Sequence, residues 1–149
     1  MLQFDFENSV GYWVTVARHH LARAMNDELA ALGITYRQWE VLAWISASQE
    51  LSQAALADLM VIEAPTLVGV LDRMERDGWI VRVHSPTDRR KNQIRATERV
   101  QPEWEKMVAC AHRVRARATQ GLSAPQLESL RQMLETIRDN LAADNTVAE

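Results

Sequence analysis

The chain has 149 residues, 47% of them hydrophobic, which is enough to enclose one sizeable core. A formal net charge of −3 excludes a uniformly basic coat, so an anionic partner would have to be met by a local basic patch. The single cysteine, Cys110, excludes an internal disulfide; with no apolar run long enough to span a bilayer and no signal-peptide pattern at the N-terminus, a reducing, cytoplasmic setting is expected.

Val10, Trp13, Ala17, Leu21, Ala24 and Met25 mark one stripe of a long first helix, and Gly33 ends it. Thr35 with Gln38 three residues on is a capping box, and Ile34 with Trp39 is its hydrophobic staple. The second helix is therefore predicted to start at Tyr36 and to carry Trp39, Leu42, Ala43 and Ile45. A third helix opens at Ser52, whose hydroxyl can accept from an unpaired amide of the first turn. Leu51 and Leu56 can staple it, and Ala55, Leu56 and Leu59 are expected to share its apolar face. The next helix has Pro65 near its start, where a missing N–H costs little. Leu67, Val70, Leu71 and Met74 then follow the spacing of a core face, and Gly78 is the expected stop. The opposite face carries Glu63, Thr66, Gly69, Arg73 and Arg76.

A two-stranded ribbon follows. Trp79, Ile80, Val81 and Val83 read as one strand and Gln93 to Ala96 as its partner, joined by the turn formers Ser85, Pro86, Thr87 and Asp88. From Trp79 to Thr97 the five cations Arg82, Arg89, Arg90, Lys91 and Arg95 face the single acid Asp88, a local charge of +4. A helix pair followed by a hairpin with a basic tip is a winged helix-turn-helix. That arrangement sets one helix in a DNA major groove and brings arginine to the minor groove and to phosphate.

Beyond the ribbon, Trp104, Met107, Val108, Ala111, Val114 and Ala118 form another long stripe, broken at Gly121 and Leu122. Ser123, Pro125 and Gln126 start the last helix with a second capping box. Its apolar residues Leu127, Leu130, Leu134, Ile137 and Leu141 are spaced 3, 4, 3 and 4, which is a coiled-coil seam. Such a seam needs a partner helix, either this chain's own long helices or a second copy of the chain.

The winged segment resembles that of the MarR family of transcriptional regulators, and most closely its SlyA branch. The resemblance lies in Ile62 to Val68 followed by Leu71 to Glu75 for the recognition helix, and in Asp88-Arg89-Arg90 with Thr97-Glu98 for the wing. The flanking helices also fall where the family has them. The resemblance implies a homodimer joined through the N- and C-terminal helices, with its two recognition helices about 34 Å apart on a near-palindromic operator. It also implies an arginine entering the minor groove at Arg90, and a cleft that takes a small aromatic carboxylate or phenolic ligand. In this chain the cleft positions would be Arg18, His19 and Trp39, where an indole can stack on a ring and a cation can pair with a carboxylate. Two positions depart from the pattern. Gly69 stands where the branch usually has arginine, and Ala96 where the wing tends to have leucine.

The expected fold is mainly α with a small β-wing. A winged helix-turn-helix over 34–97 is flanked by dimerisation helices in 1–33 and 98–143, with a frayed tail at 144–149. The residues expected to meet DNA are Ser52 and Gln53, then Glu63, Pro65, Thr66, Gly69 and Arg73, then Arg89, Arg90 and Lys91, with Asp88 structuring the wing. No catalytic motif, cofactor or membrane partner is expected. A metal site is not expected either: His19, His20, Glu40, Cys110 and His112 are the available ligands, and Cys110 and His112, two apart on a helix, do not share a face. A buried thiol is the expected role of Cys110. The alternative function is a winged helix that binds protein and not DNA, against which the basic Arg89-Arg90-Lys91 tip argues.

Overall fold

The computed structural model describes residues 3–48, 51–84 and 92–144. The chain falls into two compact units, 1–114 and 115–149, which divide inside its fifth α-helix.

In the first unit, α1 (Val10–Leu29) opens at Ser9, whose side chain accepts from the Tyr12 amide. It tightens into a 3-10 turn, Ala30–Leu32, and Gly33 at φ 68° releases the chain. α2 (Tyr36–Ala47) has the predicted capping box: the Thr35 amide donates to Gln38 Oε1 at 2.9 Å, and the Gln38 amide to Thr35 Oγ1 at 3.3 Å. β1 (Leu51–Ser52) leads straight into α3 (Gln53–Met60), where Ser52 Oγ accepts from the Ala55 amide at 3.1 Å. α4 (Ala64–Arg76) has Pro65 in its first turn, and at the break between them α3 and α4 turn through 111°, within the range of a helix-turn-helix.

Both helices of this pair end in the same way. After α4 the Trp79 amide donates to the Met74 carbonyl at 2.8 Å and the Gly78 amide to Glu75 at 3.0 Å, with Gly78 at φ 75°. After α3 the Ile62 amide donates to Ala57 and the Val61 amide to Asp58, each at 3.1 Å, with Val61 at φ 51°. These are Schellman closures, which satisfy the last helical carbonyls by placing one residue in the left-handed region.

The ribbon is β2 (Ile80–His84) and β3 (Asn92–Ala96), antiparallel, pairing Ile80 with Ala96 and His84 with Asn92. The sheet has three strands, not two: β1 pairs with the other edge of β3, Leu51 opposite Ile94 and Ser52 opposite Gln93. The two extended residues ahead of the Ser52 cap are enough to supply this short edge. Trp79 precedes the strand and is buried in the helix closure. α5 (Gln101–Ala118) then returns across the unit.

The core joins Met25 and Leu29 of α1, Val41, Leu42 and Ile45 of α2, and Leu67, Val70, Leu71 and Met74 of α4. Ile80, Ile94, Met107, Cys110 and Val114 complete it. One predicted face is rotated: α3 buries Leu56, Ala57 and Met60, while Leu59 is exposed and Ala55 only half-buried. The first half of the α1 stripe is uncovered, with Val10, Trp13 and Leu21 all exposed.

In the second unit, α6 (Ala124–Asp144) starts from Ser123, whose amide donates to Gln126 Oε1 at 2.8 Å while its hydroxyl accepts from the Gln126 amide. Arg131 braces the helix surface by bonding both Glu128 and Glu135. No described residue of α6 is buried, and Leu130, Met133, Leu134 and Leu141 are exposed. The expected tail, 144–149, lies outside the described residues apart from Asp144, the last residue of α6.

Candidate nucleic-acid interface

The outward face of α4 is the natural starting point. Glu63, Pro65, Thr66, Arg73 and Arg76 are exposed, and Gly69 is half-exposed among them. Glu63 is the N-cap residue but makes no side-chain capping bond. Arg73 folds back along the helix, so that its Nη1 lies 3.7 Å from where a Cβ on Gly69 would sit. The missing side chain at 69 thus leaves a bare strip of backbone that the Arg73 guanidinium overlies, one turn away. Arg76 is bonded to Asp77 at 2.8 Å.

Ser52 and Gln53 are half-buried at the start of α3. The Ser52 oxygen is taken by the cap, which leaves the hydroxyl proton to donate outward. Of the basic ribbon residues, Arg95 is exposed and donates to Gln93 Oε1 at 3.1 Å. Asp88, Arg89, Arg90 and Lys91, the wing-tip residues singled out in the sequence, lie outside the described residues.

Arg82 departs from its sequence reading as part of the basic face. Two residues on from the buried Ile80 in β2, it shares that residue's face, so its side chain leaves the sheet on the α4 side. There it bonds Asp72 at 2.6 Å and Glu75 at 2.5 Å, and its own amide donates to Glu75 Oε1 at 3.1 Å. Partial burial alone would lower the guanidinium's proton affinity; the two carboxylates outweigh that and raise it. The charge counted toward the ribbon is therefore neutralised within the protein.

Sequence reading also missed a second strut at the wing's base. The Arg99 guanidinium sits 4.3 Å from the centre of the Trp79 ring and donates to the Asp77 carbonyl. Thr97 closes the ribbon by donating its hydroxyl to the Gly78 carbonyl at 2.6 Å. The ribbon and α4 are thereby joined through side chains as well as through the chain.

The proposed ligand positions fall into two groups. Trp39 is half-buried and stacks on Tyr36, with ring centres 6.1 Å apart and planes at 21°. Its indole Nε1 is buried with no hydrogen-bond partner among the described residues. Burial pushes the Tyr36 hydroxyl above the ordinary phenol range, and the Glu40 carboxylate adds to that; Arg37 and Arg18 pull it back. Arg18 therefore stands within electrostatic reach of the Tyr36–Trp39 stack. His19 instead meets His20 edge-to-face at 5.6 Å. The sequence named Tyr36 only as a helix start and Glu40 only as an available metal ligand; neither was read as part of a ligand site, although Tyr36 lies one turn before Glu40 on α2.

Cys110 is the buried thiol expected: it donates to the Glu28 carbonyl at 3.4 Å and accepts from Arg113 Nη2 at 3.2 Å. No cluster of three or more His, Cys, Asp or Glu is assembled among the described residues. No single described helix is long and apolar enough to cross a membrane.

Known structures place this arrangement. A "probable transcriptional regulator" from Pseudomonas aeruginosa is 25% identical, with a TM-score of 0.77 over 89% of this chain and 99% of its own. A cysteine-to-serine mutant of MarR from E. coli complexed with operator DNA is 22% identical, with a TM-score of 0.82 over 92% and 99%. CouR from Rhodococcus jostii, bound to p-coumaroyl-CoA, is 24% identical, with a TM-score of 0.79 over 91% and 95%. Residues 34–91 match the MarR family. The winged segment of this chain thus carries the MarR-family sequence pattern, on a fold that matches MarR-family winged-helix structures.

Proposed function

We propose that this chain is a non-catalytic, DNA-binding transcriptional regulator of the MarR family, of its SlyA-like branch, acting in the cytoplasm. In this reading α4 enters the major groove with Thr66, Gly69 and Arg73 foremost. Ser52, Gln53, Glu63 and Pro65 flank it, and Arg89, Arg90 and Lys91 approach the minor groove from a wing structured by Asp88. A homodimer formed by the helices of 1–33 and 98–143 sets two copies of 34–97 on a near-palindromic operator. A small aromatic carboxylate or phenolic compound, held near Arg18, His19 and Trp39, releases it.

The observation that carries the reading is the exposed, cationic outer face of α4 standing beside a ribbon anchored to the same helix. The likeness to MarR in complex with operator DNA supports DNA as the partner, and the ligand-bound CouR supports a small-molecule effector. The buried Trp39 Nε1, without a hydrogen-bond partner among the described residues, is a donor that a ligand oxygen admitted to this site would satisfy.

Selection of binding sites from random duplex DNA by the purified protein tests this. An inverted repeat with half-sites about one helical turn apart is expected. Arg90→Ala is expected to bind the selected duplex much more weakly while remaining folded and dimeric. Enrichment of no sequence, with normal recovery of a protein partner, would favour the protein-binding winged helix instead.

A further inference from the structure

We propose that Arg82, Asp72 and Glu75 are positioning residues for DNA binding: together they fix the angle between the wing and α4, so that helix and wing tip address one duplex. This rests on the DNA-binding reading above. Asp72 and Glu75 lie three residues apart on α4 and so share a face. Arg82 reaches both, and its backbone amide adds a third bond to the cluster, the second to Glu75. The guanidinium is the right group for the task, because its planar fork can bond two carboxylates at once, whereas an ammonium cannot hold the same geometry.

The place of these bonds matters as much as their number. Ile80 is fully buried, whereas His84, the last described residue of β2, is exposed. Arg82 lies between them, where the strand leaves the core. Angular play at this point would be carried along the ribbon to the residues that bear Arg89, Arg90 and Lys91. The carboxylates are otherwise hard to explain. Two acids opposed by one arginine leave this cluster one negative charge in excess beside a helix face that must approach phosphate, and simple electrostatics would remove them.

That conflict gives a test of opposite sign. In the full-length protein, the double variant Asp72→Asn with Glu75→Gln removes two negative charges. If those residues act only through the field, affinity for a labelled duplex carrying the selected site rises. If they position the wing, affinity falls several-fold, and this fall is the expected result.

Arg82→Ala is expected to weaken binding to a similar extent. Adding it to the carboxylate double variant should cost little more, because all three residues serve one function. Arg82→Lys separates the roles, since lysine keeps a phosphate contact but not the fork. Binding between that of wild type and Arg82→Ala is expected. Hydrogen exchange should quicken in β2 and β3 of each variant while the amides of α1 and α2 stay protected, which shows that the fold survives.

The proposal is overturned if the carboxylate variant binds as tightly as wild type or tighter. It is also overturned if Arg82→Ala exacts its full loss in that background, or if Arg82→Lys restores wild-type affinity. A wild-type protein that selects no DNA would overturn the DNA-binding reading first, and this proposal with it.

Discussion

Val61 is the one described non-glycine residue with a positive φ, and it is β-branched. The left-handed region crowds a branched Cβ against the backbone, at a cost of about 1–2 kcal/mol. The side chain repays none of this by burial, for it is 87% exposed. Val61→Gly is therefore expected to raise stability by about 1 kcal/mol, somewhat offset by glycine's greater freedom when unfolded. Urea denaturation with unchanged slope would check it; a lower midpoint would show that the Val61 methyls make a contact that matters. Gly69 poses the reverse problem. A Cβ there meets only Arg73 Nη1 at ordinary contact distance, so Gly69→Ala should fit and strengthen α4 by up to about 1 kcal/mol. Gly69→Arg should hold or raise the melting temperature as well, and a bidentate base contact would add about 1–3 kcal/mol of discrimination on a SlyA-type operator. Weaker binding to every duplex tried, with the fold intact, would show instead that the bare backbone strip is needed for close approach.

The helix starts and stops were legible because their signals are local. Thr35 with Gln38, Ser52, and Ser123 with Gln126 each bond an amide within three residues, so the sequence spacing nearly states the geometry. Gly78 is likewise read from its place after a periodic face. Its φ of 75° predicts that Gly78→Ala destabilises the protein by about 1–2 kcal/mol, although a Cβ there would meet only Arg99 Nη1, at an ordinary contact distance of 3.9 Å. Thermal melting would reveal this, and an unchanged midpoint would mean that the closure relaxes. What could not be read was set by distant partners. Arg82 looked like one more cation on a basic ribbon; only the placing of Ile80 against α4 turns its side chain toward Asp72. The two residues of β1 found an edge 43 positions further on at Ile94. Leu59 fits a helical stripe as well as Ala57 does, and only the packing of α3 on the rest of the unit decides between them. Arg99 gave no local hint that it would cover Trp79.

The dimer proposed here depends on surfaces that the single chain leaves open. In α1, Trp13 is exposed and joins Phe4, Phe6 and Tyr12 in a run of edge-to-face rings, 4.7 to 5.8 Å between centres. In α6 the predicted seam is laid out along one helix with Leu130 and Leu134 uncovered. Leu134→Glu should then leave the isolated chain folded, because the position already faces water. In a dimer it would bury an unpaired charge at a cost of several kcal/mol. Sedimentation is expected to give monomers and DNA binding to fall in parallel; a variant that stays dimeric would place the interface elsewhere.

The uncovered leucines of α6 have a further consequence, for abundance. In the proposed dimer the last helix is sheltered by a second copy, which would tie the stability of the chain to its own concentration. Tenfold dilution should lower its melting midpoint by a few degrees, where a self-sufficient monomer would not respond. In a cell the lone chain would be the form open to proteolysis and the pair the form that persists. While most of the chain is still monomeric, occupancy of a target would climb with roughly the square of its concentration, so that a modest change in expression acts as a threshold.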